Sequence, residues 1–143
     1  MRRTTAPDEA RALDEARALD APMAPPRRPV SVELAAAILI VAGVVGIVSA
    51  LGTWVTGSPD PFLWVSLALN LGSVVLGVAT RIGRLWLVTL NYAAVLGFLD
   101  LLGSAASPQA LMIGITEVAV VVILLIGKPW FDGVAEARAA VTT

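Results

Sequence analysis

The chain contains no cysteine and no histidine. Without cysteine there is no disulfide, thiolate nucleophile, iron–sulfur ligand or lipidated-cysteine anchor. Without histidine the usual general base, the usual transition-metal ligand and the ready switch near neutral pH are all missing. Charge is also scarce and nearly balanced: ten Lys and Arg stand against eleven Asp and Glu, for a formal net charge of −1. That leaves no basic field able to hold nucleic acid by counterion release. No cofactor, metal or nucleic-acid partner is therefore expected, any proton chemistry would rest on carboxylates, and the chain reads as a non-enzyme. Gly52 and Gly57 match the glycines of a phosphate loop in spacing, but Ser58-Pro59 follows where Lys and Ser/Thr are required.

What the chain has in excess is apolar sequence. Of its 143 residues, 57% belong to the hydrophobic set, and the mean hydropathy is +0.84. Four apolar runs, at about 34–55, 62–79, 85–102 and 110–127, are long enough to cross hydrocarbon as helices, which takes about 17–25 residues. The expected fold is all-α: a four-helix transmembrane bundle with short loops. Thr56-Gly57-Ser58-Pro59-Asp60-Pro61 and Gly103-Ser104-Ala105-Ala106-Ser107-Pro108 are turn-forming connections. Thr80-Arg81-Ile82-Gly83-Arg84 is short enough to make spans two and three an antiparallel hairpin.

The basic residues sort to one side of this alternation. Arg2, Arg3, Arg11, Arg17, Arg27 and Arg28 precede span one, Arg81 and Arg84 lie between spans two and three, and Lys128 and Arg138 follow span four. The other two loops hold no Lys or Arg. The positive-inside rule then places both termini and the central loop in the cytoplasm of a multi-pass cell-membrane protein. Trp54 and Trp64 fall at the expected outer boundary, and Trp86 and Trp130 at the inner one, as an aromatic belt requires. Arg27-Arg28, an apolar run and Val48-Ser49-Ala50 have the outline of a cleavable signal. The run continues to Val55, so the segment is read as a span.

Residues 1–30 are expected to form a largely disordered cytoplasmic tail. Asp8-Glu9-Ala10-Arg11-Ala12-Leu13 recurs as Asp14-Glu15-Ala16-Arg17-Ala18-Leu19. This leaves room for a short helix at 7–21, too short to hold alone in water. Residues 31–130 form the four-span domain, with Ser31 as the expected N-cap and Glu33 as a first-turn carboxylate. Lys128-Pro129 stops span four, Trp130-Phe131 suits the interface, and 131–143 is a cytoplasmic tail.

Polar side chains in hydrocarbon are costly and tend to face a bundle interior or a wet cavity. Asn70, Asn91 and Glu117 all fall near the midplane and form the candidate site, with Glu117 the foremost of the three. Asp100 falls near the outer end of span three, about 180° around the helix from Asn91, and is expected outside that site. Ser66, Asn70, Ser73 and Gly77 line one seam of span two. Ala42, Gly46 and Ala50 in span one, and Ala110, Gly114 and Glu117 in span four, offer further small-residue faces. Such faces can meet in the bundle core or support a homo-oligomer in the lipid bilayer.

Two functions follow. The first is a structural, accessory or oligomeric membrane component without enzymatic activity. The alternative is a small proton- or cation-coupled transporter or channel subunit that uses Glu117. Arg28-Pro29-Val30-Ser31-Val32-Glu33-Leu34-Ala35-Ala36 and Lys128-Pro129-Trp130-Phe131 resemble the opening and close of small four-span bacterial integral membrane proteins to which no activity is assigned. That resemblance, loose over residues 28–131, implies a bacterial inner membrane and transfers no site.

Overall fold

The computed structural model describes residues 11, 26–57, 62–105 and 107–142. The helices among them are α1 (Val30–Val55), α2 (Leu63–Arg81), α3 (Trp86–Gly103), α4 (Pro108–Ile126) and α5 (Lys128–Thr142), and no strand occurs among the described residues. Apart from Arg11, residues 1–25 lie outside the description, and with them the tail and its helix at 7–21. So do residues 58–61 of the first expected turn and Ala106 of the third connection.

The first four helices are each long and apolar enough to cross a membrane, with mean hydropathies of 2.7, 1.8, 1.5 and 2.4 in turn. Only 17–33% of the residues in these apolar stretches are buried within the chain. The rest of that surface suits hydrocarbon far better than water, because a soluble monomer rarely exposes large contiguous apolar patches.

Local chemistry accounts for the helix ends. α1 starts at Val30, directly after Pro29, and no side chain caps it. Ser31 is therefore inside the helix rather than at its N-cap, because Pro29, with its extended backbone, already occupies the capping position. Pro108 opens α4, where its missing N–H costs no helical hydrogen bond. Between α2 and α3 the chain reverses through Gly83 (φ +69°) and Leu85 (φ +56°). A side chain at Gly83 would be strained by that backbone, and its Cβ would stand 2.9 Å from Val134 of α5.

The helices pair as two tight hairpins, α1 with α2 and α3 with α4, while contacts between the hairpins are sparser. The reason lies in the sequence. On α1 the inward positions Val32, Ala36, Leu39, Gly43, Gly46 and Ala50 step by four and three residues alternately, and Leu63, Ser66, Asn70, Ser73, Gly77 and Thr80 do the same on α2. This is the seven-residue rhythm of close helix pairing. Gly43 faces the Asn70 carbonyl and Val74, and Gly77 faces the Ala36 carbonyl and Ile40, so the two backbones nearly touch. On the second hairpin Gly97 faces Glu117 and Gly114 faces Leu101. Gly43 and Gly77 thus serve one intrachain seam, and Gly97 and Gly114 a second.

The apolar core lies towards the end of the bundle that carries the α2–α3 turn. Val32, Ala35 and Leu39 of α1, Ala93 of α3, Val120 and Leu124 of α4 and Phe131 of α5 form one buried cluster. α5 takes up most of the segment read as the C-terminal tail, 131–143, and packs against the bundle. Phe131 and Val134 are buried, and Phe131 stacks edge-on to Trp130 with ring centroids 4.9 Å apart. Arg138 donates to the Gly83 carbonyl at 3.0 Å and to the Ile82 carbonyl, which ties α5 to the turn. Phe131 and Val134, with Arg138 one turn further on, make one helix face that packs against the bundle.

The four tryptophans divide into two kinds. Trp54 and Trp64 are 63% and 77% exposed, which suits rings lying among headgroups. Trp86 donates to the Leu124 carbonyl at 2.8 Å, and Trp130 to the Pro26 carbonyl at 2.9 Å, so both hold the fold together.

Candidate functional site

The close packing at the α5 end has a counterpart at the other end, where the hairpins separate. A cavity of about 820 Å³ opens between them. Thr53, Phe62 and Gln109, near the ends of α1, α2 and α4 remote from α5, line it, as do Ala42, Ser73 and Glu117 deeper in the bundle. Its walls are mostly aliphatic. Its polar lining includes Ser66, Asn70, Asp100 and Glu117, with no lysine or arginine among the described residues.

Glu117 enters from α4. Its Cβ packs over Gly97 of α3, where an added Cβ would come within 3.1 Å. Gly97 therefore supplies the space that lets the carboxyl point along the α3–α4 seam into the cavity. The Oε2 atom is shielded from solvent and has no hydrogen-bond partner. Asp100, one helical turn beyond Gly97, is the acid that interacts with it. Two carboxyl groups side by side can hydrogen-bond only when one of them carries a proton. Otherwise they repel, and the pair calls for a cation between or beside them.

Asn70 enters from α2 on the opposite wall. Its Nδ2 donates to the Ser66 carbonyl at 2.8 Å and approaches Ser66 Oγ at 3.3 Å. The amide fills the gap left by Gly46 of α1, where no Cβ could fit. With its N–H groups turned to its own helix, Asn70 has a carbonyl oxygen left as an acceptor. A serine hydroxyl, an amide and two carboxyls thus present mainly acceptor oxygens, a donor set that favours protons and cations over anions.

Of the three candidate residues, Glu117 and Asn70 share this cavity, and Asn91 does not. Asn91 is exposed on the far side of α3, and its Nδ2 bonds back to the Leu87 carbonyl at 2.8 Å. Asp100 takes the place expected of Asn91. The two do lie on opposite faces of α3, as their nine-residue spacing requires, but α3 is rotated so that the Asp100 face looks inward. The sequence signal that could have found it is the inward row Thr89, Ala93, Gly97 and Asp100, small or polar at steps of four, four and three.

The two hairpins are joined beside the cavity by hydrogen bonds. Tyr92 of α3 donates to the Leu69 carbonyl of α2, and its hydroxyl is 3.1 Å from Ser73 Oγ. Nearer the turn, Thr80 and Thr89, both fully buried, are linked at 3.3 Å. Comparison with family models, with curated proteins and with solved structures finds no match for the chain.

Proposed function

We propose that this is a multi-pass cell-membrane protein, with both termini and the α2–α3 turn in the cytoplasm, whose cavity binds and couples to a proton or small cation. The orientation rests on the one-sided distribution of Lys and Arg in the sequence. The functional reading rests on one observation above all: Glu117 Oε2 is shielded and unpartnered beside Asp100 in a cavity without a basic residue among its described lining. An intramembrane carboxylate is costly, and one that serves only as interhelical glue is expected to have a donor from a neighbouring helix. The neighbouring-helix side chain that interacts with Glu117 is another acid, Asp100, which can share a hydrogen bond with it only when one of the two is protonated.

Proteoliposomes carrying the wild-type chain are expected to show proton- or cation-linked flux that Glu117→Gln abolishes. Absent flux, or flux unchanged in the variant, would overturn the reading. A structural or oligomeric role is the second reading, favoured by Asn91. An amide exposed at mid-span on a lipid-facing helix surface gains by meeting a second copy. Cross-linking at Asn91→Cys in membranes tests it, since no native cysteine competes.

A further inference from the structure

At the α5 end of the bundle a second hollow, of about 820 Å³, lies between the start of α1, the α2–α3 turn and the face of α5. Four arginines line it: Arg28, Arg81, Arg84 and Arg138. Their partners differ. Arg138 is spent on the carbonyls of Gly83 and Ile82. Arg28 and Arg81 share one carboxylate, Glu33, at 2.5 and 2.8 Å. Arg84 has no side-chain partner among the described residues. Among the described residues, four guanidinium groups stand against one carboxylate, an excess of three positive charges. The acids of α5 do not relieve it, because Asp132 pairs with Lys128 and neither it nor Glu136 lines the hollow.

Apart from Thr142, the rest of the described lining is apolar. Ile82, Val134 and Val141 stand beside the arginines, and Trp130 forms part of the wall. The hollow also sits where the apolar helices end, after Arg81 of α2 and before Trp86 of α3. That is the depth at which a bilayer carries its phosphates. Guanidinium forks match phosphate oxygens in geometry and charge, and basic pockets between membrane helices suit anionic headgroups.

We propose that this arginine-lined hollow is a phosphate-binding site, with Arg81 and Arg84 as its principal ligands and the apolar wall placed to accept the glycerol and first methylenes of an anionic phospholipid. Arg28 adds charge from the segment just before α1, and Arg138 holds α5 in place as the floor. The site shares no residue with the acidic cavity, so its test is independent of the proposed function.

The experiment is native mass spectrometry of the full chain released from detergent, titrated with phosphatidylglycerol or phosphatidylcholine, with and without inorganic phosphate. Wild type is expected to bind one phosphatidylglycerol saturably and phosphatidylcholine far more weakly. Arg81→Gln/Arg84→Gln is expected to weaken phosphatidylglycerol binding by roughly thirtyfold, from the usual worth of two basic residues near a lipid surface. Lys128→Gln removes a charge at the same end but outside the hollow and is expected to leave binding unchanged. Competition by millimolar inorganic phosphate would show that the site also takes the free anion; no competition would assign it to the lipid headgroup. Equal retention of both lipids, undiminished binding in the double variant with helical content intact, or an equal loss in Lys128→Gln would overturn the proposal.

Discussion

Glu117 of α4 rests on Gly97 of α3: a Cβ built at Gly97 would stand 3.1 Å from Glu117 Cβ and 3.5 Å from Oε2. The glycine is thus the seat of the buried acid, and the α3–α4 seam is close because the acid needs no more room than the glycine leaves. A carboxylate held in this way is fixed by packing on one side and left free on the other, where the cavity begins.

Gly97→Ala is expected to destabilise the bundle by about 1–3 kcal/mol, the usual cost of forcing an extra methyl into a packed seam. Gly103→Ala on the same helix meets only Ala110 Cβ at 3.8 Å, an ordinary contact, and is expected to cost nothing. Thermal unfolding of the two variants in the same detergent makes the comparison. Equal melting temperatures would show that the seam has slack.

On α1, Gly46→Ala would drive a methyl into the Asn70 amide, whereas Gly52→Ala meets nothing within 4 Å. The first is expected to destabilise and the second to be neutral or slightly stabilising, since alanine is the better helix former by about 1 kcal/mol. Asn70→Ala should relieve the clash, so a double-mutant cycle between 46 and 70 is expected to give a coupling of roughly 0.5–3 kcal/mol. Additive effects would mean that the amide does not occupy that gap.

Tyr92 is the only tyrosine in the chain, and its hydroxyl bonds to the Leu69 carbonyl and lies near Ser73 Oγ across the gap between the hairpins. Tyr92→Phe is expected to cost about 0.5–1.5 kcal/mol, the net worth of a typical hydrogen bond. Hydrogen exchange should rise at the α2–α3 contact while the α1–α2 and α3–α4 seams stay protected. Uniform loosening of all four helices would contradict the picture of two hairpins joined by side chains.

Much of this was legible in the sequence because hydrocarbon imposes a simple demand. Every backbone polar group must be satisfied locally, so an apolar run of about 20 residues has little choice but helix. The seam Ser66, Asn70, Ser73 and Gly77 was also readable, and packing extends it by one residue at each end, to Leu63 and Thr80. α5 was harder to read, because its one-sided face at Phe131, Val134 and Arg138 spans only about two turns and gains meaning only from the bundle it packs against. Its helix is fixed by where Phe131 and Val134 find burial.

What the sequence determined by itself was the set of four apolar helices and the gathering of the basic residues onto alternate connections, since both follow from local composition and from alternation along the chain. What only the tertiary structure decided was rotation about each helix axis. Spacing puts Asn91 and Asp100 on opposite faces of α3 but cannot say which face turns inward. Packing settles it through Gly97, which must meet α4, and so brings Asp100 to Glu117 and leaves Asn91 outside. The same side-chain fit closes the bundle around Val32, Val120 and Leu124 at one end and parts the hairpins around the two acids at the other.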